Sequence, residues 1–143
     1  MLWGGAARDT HGPMSEANVE LVKGIFAAWA RGDFSSTEWA DPEIEFTIPG
    51  PDLDVHRGVE AMGRAWGEWL HAFDEFRVVG EEFLDGGDRV VVRQFFRGQG
   101  KGSGIPVDEI PGGAVVTVRN GKVTRFEGHT TFEGALAAAG REG

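Results

Sequence analysis

Residues 114–129 read AVVTVRNGKVTRFEGH, and the Asn120-Gly121 pair at their centre is the strongest short hairpin signal in the chain. Asn and Gly tolerate the left-handed backbone that a two-residue turn requires, and Val, Thr and Phe on either side favour strands. Uniform pairing from that turn sets Val118 opposite Val123, Val116 opposite Arg125 and Ala114 opposite Glu127, with His129 continuing the same face. Val115, Thr117, Thr124 and Phe126 then occupy the other face. The first face passes from apolar near the turn to polar away from it, as a core running into a pocket mouth would. Arg125, Glu127 and His129 line one wall of that pocket in this reading.

Working outward, the preceding segments also alternate. Phe76 to Leu84 is a strand ended by Asp85-Gly86-Gly87-Asp88, Arg89 to Arg97 is a second, and Gly98 to Gly104 is a flexible loop. Ile105 to Ile110 is extended, with Pro106 confining it to an edge or a bulge, and Pro111-Gly112-Gly113 kinks the chain before Ala114. Thr130 and Glu133 have capping-box spacing for a closing helix through Ala139, with Gly140 as its stop.

Toward the N-terminus the period changes. Val19, Val22, Phe26 and Trp29 recur at helical steps between about Glu16 and Arg31. Ser35 and Glu38 have capping-box spacing for a short second helix carrying Trp39. Ile44, Phe46 and Ile48 alternate with polar residues as a first strand, and a loop through Leu53, Val55 and His56 follows. Gly58 opens a third helix whose stripe is Val59, Met62, Trp66, Trp69 and Phe73. The order predicts an α+β domain: one antiparallel sheet, helices packed against one face, and a concavity where the sheet curves. Residues 14–143 form this single domain, and residues 1–13 read as a poorly ordered extension.

Composition narrows the function. Fourteen Lys plus Arg against 23 Asp plus Glu give a net charge of −9, which argues against nucleic acid or an anionic membrane as partner. With no cysteine there is no disulfide, thiolate metal site or Cys nucleophile. The four histidines show no metal-ligand spacing, so no metal and no cofactor are expected. No apolar run is long enough to span a bilayer, and the N-terminus lacks a secretory core, so the expected compartment is the cytoplasm. Gly98 to Gly104 lacks both the spacing and the following helix of a phosphate loop.

Several motifs in this order resemble the NTF2-like superfamily and its SnoaL-like, polyketide cyclase-related branch. They are Phe26 to Asp33 closing the first helix, Asp41 to Phe46 leading into the first strand, Arg57-Gly58, Arg119 to Val123, and Ala135 to Gly140. The resemblance implies a cone, with a curved sheet around the N-terminal helices, a pocket at the wide end, and a homodimer through the outer sheet face. It also implies where related chemistries keep their residues. The acid/base aspartate of the cyclases falls near Thr131, and the carboxylate of the isomerase type falls at Thr47 or Ile48. The epoxide-hydrolase type needs an Arg between two Asp residues, whereas Arg93 is followed by Gln94 and Phe95. Each chemistry lacks a residue it requires.

The remaining candidates come from the residues themselves. His129 and Glu127, two apart on one strand face and roughly 7 Å apart at Cβ, are the catalytic candidates, because imidazole can give and take a proton near neutral pH. A structural ion pair between Arg125 and Glu127, with His129 capping the last helix, is the other reading of the same residues. Arg93 either holds an anionic ligand oxygen, pairs with Glu127 or faces solvent or a dimer. Trp29, Phe46, Met62 and Trp66 build the core and line the cavity, and His56 reaches the rim. The function read here is binding of a small, largely apolar metabolite, with acid/base chemistry of cyclase or isomerase type. The alternatives are a non-catalytic ligand-binding or dimeric interaction module and an epoxide-hydrolase-like hydrolase.

Overall fold

A computed structural model describes residues 4–48, 54–100 and 106–142. Among these residues the elements are α1 (Gly4–Ala30), β1 (Ala40–Ile48), β2 (Asp54–Arg57), α2 (Val59–Ala72), β3 (Phe73–Gly86), β4 (Arg89–Gly100), β5 (Pro106–Arg119), β6 (Lys122–His129) and α3 (Phe132–Glu142). The strands form one unclosed sheet in the order β2-β1-β6-β5-β4-β3. The class is α+β, as the sequence indicates. One pair departs from the expected antiparallel pattern: β1 and β6 run parallel, with Phe46 beside Phe126 and Thr47 beside Glu127. No hairpin joins these two strands, so turn geometry does not constrain their direction.

The concave face holds the main core. Val22, Ile25, Phe26 and Trp29 of α1 and Met62 and Ala65 of α2 are buried with Val90, Val92, Val116, Val118, Val123 and Phe126 of the sheet. The helices do not all share this face. On the other side Phe132, Ala135 and Ala138 of α3 bury Val91 and Val115. Arg89 Nη1 donates to the Ala139 carbonyl at 3.2 Å, satisfying an orphan acceptor near the C-terminus of α3.

Several boundaries differ from the sequence reading, among them Gly98 to Gly100, read as loop but forming the end of β4, and Phe73, read as helical but opening β3. Helix α1 begins at Gly4 and not near Glu16, so residues 4–13, read as an extension, are helical; residues 1–3 lie outside the described residues. The short helix at Ser35 does not form. Asp33 Oδ1 instead accepts from the Ser35 hydroxyl at 2.6 Å and the Ser35 amide at 3.1 Å, a side-chain turn that competes with helix. The loop before Gly58 contains β2, which pairs with β1 through Phe46 and His56. Finally, β5 runs unbroken through Pro111-Gly112-Gly113. It can do so because β6 ends opposite Gly113, leaving Pro111 paired with β4 alone on an edge where no N–H is needed.

The hairpin turn forms as expected, with Asn120 at φ 54° and Gly121 at φ 77°. Its register then slips. Val118 pairs with Val123, but Thr117 pairs with Arg125, Val116 with Phe126 and Val115 with Glu127. Thr124 is the extra residue of a β-bulge. The uniform pairing assumed from the turn is therefore wrong beyond the first pairs. Phe126, and not Arg125 or Glu127, joins Val116 on the concave face.

Two outcomes follow. Gly113 lies under α3, where a Cβ would stand 2.9 Å from the Ala135 Cβ, the Phe132 Cα and the Thr131 carbonyl oxygen. Gly113→Val is expected to cost about 1–3 kcal/mol in urea unfolding. The hydrogen bond from the Ser35 side chain, then that from its amide, holds the Asp33 carboxyl below the usual aspartate range. A lowered value stabilises the fold above the unfolded-state pKa, and that contribution fades as pH falls through the folded value. Ser35→Ala should move the Asp33 titration upward in a carboxyl NMR titration.

Candidate functional site

A cavity of ≈ 380 Å³ lies between the concave sheet face and the helices. Its walls are aromatic: Trp29 from α1, Phe46 from β1, Trp66 from α2, Phe73 and Phe76 from β3, Phe96 from β4 and Phe126 from β6. The rings pack tilted and stacked, with Trp29 to Trp66 tilted at 4.9 Å, Phe46 to Phe126 tilted at 5.5 Å and Phe76 to Phe96 stacked at 5.8 Å between centroids. The exposed Ile110, Pro111 and Thr130 mark the mouth.

Strand alternation alone would send Phe73 and Phe76 to opposite faces, since they are an odd number of residues apart. A register shift between Asp74 and Arg77 corrects this, with Glu75 in the left-handed region at φ 54°. Both rings therefore reach the cavity. A non-Gly residue in that conformation is uncommon and is favoured where a strand must re-aim a side chain.

His129 is the one titratable side chain among the described residues lining the cavity. Its Nε2 lies 3.4 Å from Glu127 Oε1, a long hydrogen bond. Glu127 itself is buried at 8% exposure and sits on the opposite face of β6 from Phe126. Its other oxygen, Oε2, is 2.7 Å from Arg125 Nη2. The charge ladder continues across the sheet, from Arg125 to Glu45 at 4.0 Å and from Glu45 to Arg57 at 3.5 Å. When Nε2 carries the imidazole proton it donates to Glu127, and Nδ1 is left with a lone pair that can act as a base.

The other sequence-derived candidates are dispersed. Trp29, Trp66 and Phe46 line the cavity. Met62, 1% exposed, belongs to the core and to a small neighbouring cleft with Trp66. His56 sits across from Phe46 with ring centroids 6.4 Å apart and is not among the cavity residues. Arg125 faces Glu127 on the convex side. Arg93 is also outside the cavity: its Nε is 3.2 Å from Glu82 Oε1 and its guanidinium lies 4.2 Å over the Phe132 ring. Thr131, where the cyclase aspartate was expected, caps α3, its hydroxyl accepting the Gly134 amide at 2.9 Å.

Sequence reading missed Gln94 as a lining residue. It is 4% exposed, and its Oε1 has no hydrogen-bond partner. The signal was present: Val90, Val92, Gln94 and Phe96 share one face of β4, and Gln94 is the polar exception. Among the described residues no group of three His, Asp or Glu side chains is placed to hold a metal. No described helix is long and apolar enough to cross a membrane.

Comparison with known proteins gives a consistent picture. A family model for the SnoaL-like domain matches residues 22–126. The uncharacterised protein Rv0034 of Mycobacterium tuberculosis is 32% identical over 115 residues, covering 78% of this chain and 86% of that protein. A candidate SnoaL-like polyketide cyclase from Jannaschia sp. CCS1 superposes with a TM-score of 0.73 at 22% identity, over 90% of this chain and 94% of that one. TerC, crystallised with polyporic acid, superposes with a TM-score of 0.69 at 20% identity, over 87% of this chain and 98% of that one. The shared architecture is the NTF2-like fold.

Glu127 joins Arg125 and His129, so Glu127→Ala should cost about 1–3 kcal/mol in denaturant unfolding. Arg57→Ala, at an exposed pair, should cost about 0–1 kcal/mol. Equal costs for the two variants would show that the Glu127 pairing is no stronger than a surface one.

Proposed function

The chain belongs to the SnoaL-like family, and on that premise we propose that it binds a small, largely apolar metabolite in the cone and moves a proton on it through His129. One observation carries this reading. The cavity is walled by rings, and the single titratable side chain among the described residues at its wall is an imidazole backed by a carboxylate. Glu127 holds the ring and stabilises the imidazolium that forms when His129 takes a proton. Because the proton carrier borders an apolar cavity, a neutral C–H acid is the fitting substrate. An anionic one would be desolvated without a partner cation there.

A second reading has its own support. Glu127 approaches Arg125 more closely than His129, and Thr131 is spent on capping α3. Both observations favour a binding module that holds its ligand without turnover. The hydrolase alternative has little support, since Arg93 pairs with Glu82 and no carboxylate is among the described residues lining the cavity. The homodimer belongs to this proposal too, its surface being the outer sheet face that carries Arg57, Glu45 and Arg125.

5-Nitrobenzisoxazole tests the proton-transfer reading, because its ring opens when a base removes one C–H proton and the N–O bond breaks. The wild-type protein should accelerate this opening about 100-fold or more over free imidazole at equal concentration. His129→Ala should lose the acceleration with an unchanged circular dichroism spectrum, and Glu127→Gln should lose part of it. Equal rates for wild type and His129→Ala would remove His129 from the role. Saturable binding without acceleration would leave the binding module.

A further inference from the structure

Glu127 divides its two oxygens between two partners. Oε2 lies 2.7 Å from Arg125 Nη2, and Oε1 lies 3.4 Å from His129 Nε2. The first is a short charge-assisted contact and the second a long one, so Arg125 decides where the carboxylate sits. The two oxygens of a carboxylate are rigidly joined, and fixing Oε2 therefore aims Oε1. Arg125 is held from its other side as well. Glu45 stands beside it in register on β1, 4.0 Å from its Nε, and Arg57 stands beside Glu45 on β2 at 3.5 Å. The Glu127 side chain is only 10% exposed, so water competes little for its oxygens. The backbone around His129 leaves the orientation of the ring to this carboxylate. Gly113 of β5 pairs with His129, and Gly134 of α3 lies near Nδ1, where a Cβ would stand 3.8 Å away. Neither glycine has a side chain that could fix the imidazole.

From this we infer that Arg125 is a positioning residue for His129 and acts through Glu127. By taking Oε2 it turns Oε1 toward Nε2. The ring proton then sits on Nε2 and the lone pair on Nδ1. Arg125 is on the convex side, outside the described residues that line the cavity, so its effect on a ligand passes through the carboxylate. The short contact between Arg125 and Glu127 is thus an aiming device as well as an ion pair. The inference rests on the proton-transfer reading above and adds the residue that orients its base.

Two measurements on the full chain test it. Nitrogen NMR of the neutral imidazole reports which ring nitrogen carries the proton. The wild type should hold it on Nε2, and Arg125→Met should show the same mixture of tautomers as Glu127→Gln. In the opening of 5-nitrobenzisoxazole, Arg125→Met should lower kcat about 10-fold and leave KM within about 2-fold. Adding Arg125→Met to Glu127→Gln should lower kcat no further, because the route through the carboxylate is already broken. Arg125→Lys keeps a cation beside Glu127 and covers the case in which Arg125→Met does not fold. Without the guanidinium fork it should show the same two changes to a smaller degree. An unmoved tautomer or an unmoved kcat in both Arg125 variants overturns the inference, while acceleration by the wild type leaves the proton-transfer reading standing. A further loss of kcat on top of Glu127→Gln shows that Arg125 acts independently of the carboxylate and also overturns it. A wild type that does not accelerate the opening defeats the proton-transfer reading and this inference together.

Discussion

Thr124 is accommodated as an extra residue in β6, and the side chains that follow it depend on that slip. Without the bulge, strict alternation from the Asn120-Gly121 turn would send Arg125 and Glu127 into the concave core and Phe126 out beneath α3. Two charges would then be buried among Val116, Phe46 and Trp29, at several kcal/mol for each unless paired. With the bulge, Phe126 packs against Phe26, Trp29 and Phe46. Glu127 lies across from Val115 and reaches Arg125 and His129. One strand thereby supplies an aromatic wall to the cavity on one face and a charge ladder on the other.

The cavity depends in turn on Trp29. Its indole meets Phe26 in its own helix, Phe34 and Trp39 in the following segment, Trp66 in α2 and Phe126 in β6. These contacts fix the distance between α1, α2 and the sheet, so the rings nearer the mouth cannot collapse inward. The second bulge, at Glu75, adds Phe73 and Phe76 from a single strand end. The ≈ 380 Å³ cavity lies among these large rings.

Element type and order were legible because they follow from periodicity and turn chemistry, which are local. The stripe of α1, the stripe of α2 and the Asn120-Gly121 turn each carry their own signal within a few residues. What failed was long-range or a matter of competition. Nothing near Thr124 announces a bulge, because Thr is an ordinary strand residue and the slip is decided by which side chains the distant core accepts. The Ser35 capping box was a fair local signal, but Asp33 offered the same backbone a closer acceptor. Within the candidate site, the rings and His129 were visible as residue types. Gln94 is a neutral amide with no sequence motif around it, and only the alternation of β4 places it, and not the charged Arg93 beside it, on the apolar face.

In the proposed role, the position of His129 reconciles two demands that normally exclude each other. A proton carrier must touch the ligand, yet it gains orientation and charge stabilisation from a carboxylate, which an apolar cavity would make costly to bury. Mid-strand, a residue belongs to one face and cannot serve both. His129 is the last residue of β6, paired with Gly113 where β5 loses that neighbour. At a strand end the two faces meet, so the imidazole can hold Glu127 on the convex side and still border the cavity on the concave one. Two residues further on the chain has already turned into α3, and Thr131 must accept the Gly134 amide to start that helix. An acid–base group at Thr131 would have to share that duty, whereas His129, one step inside the sheet, is free of it.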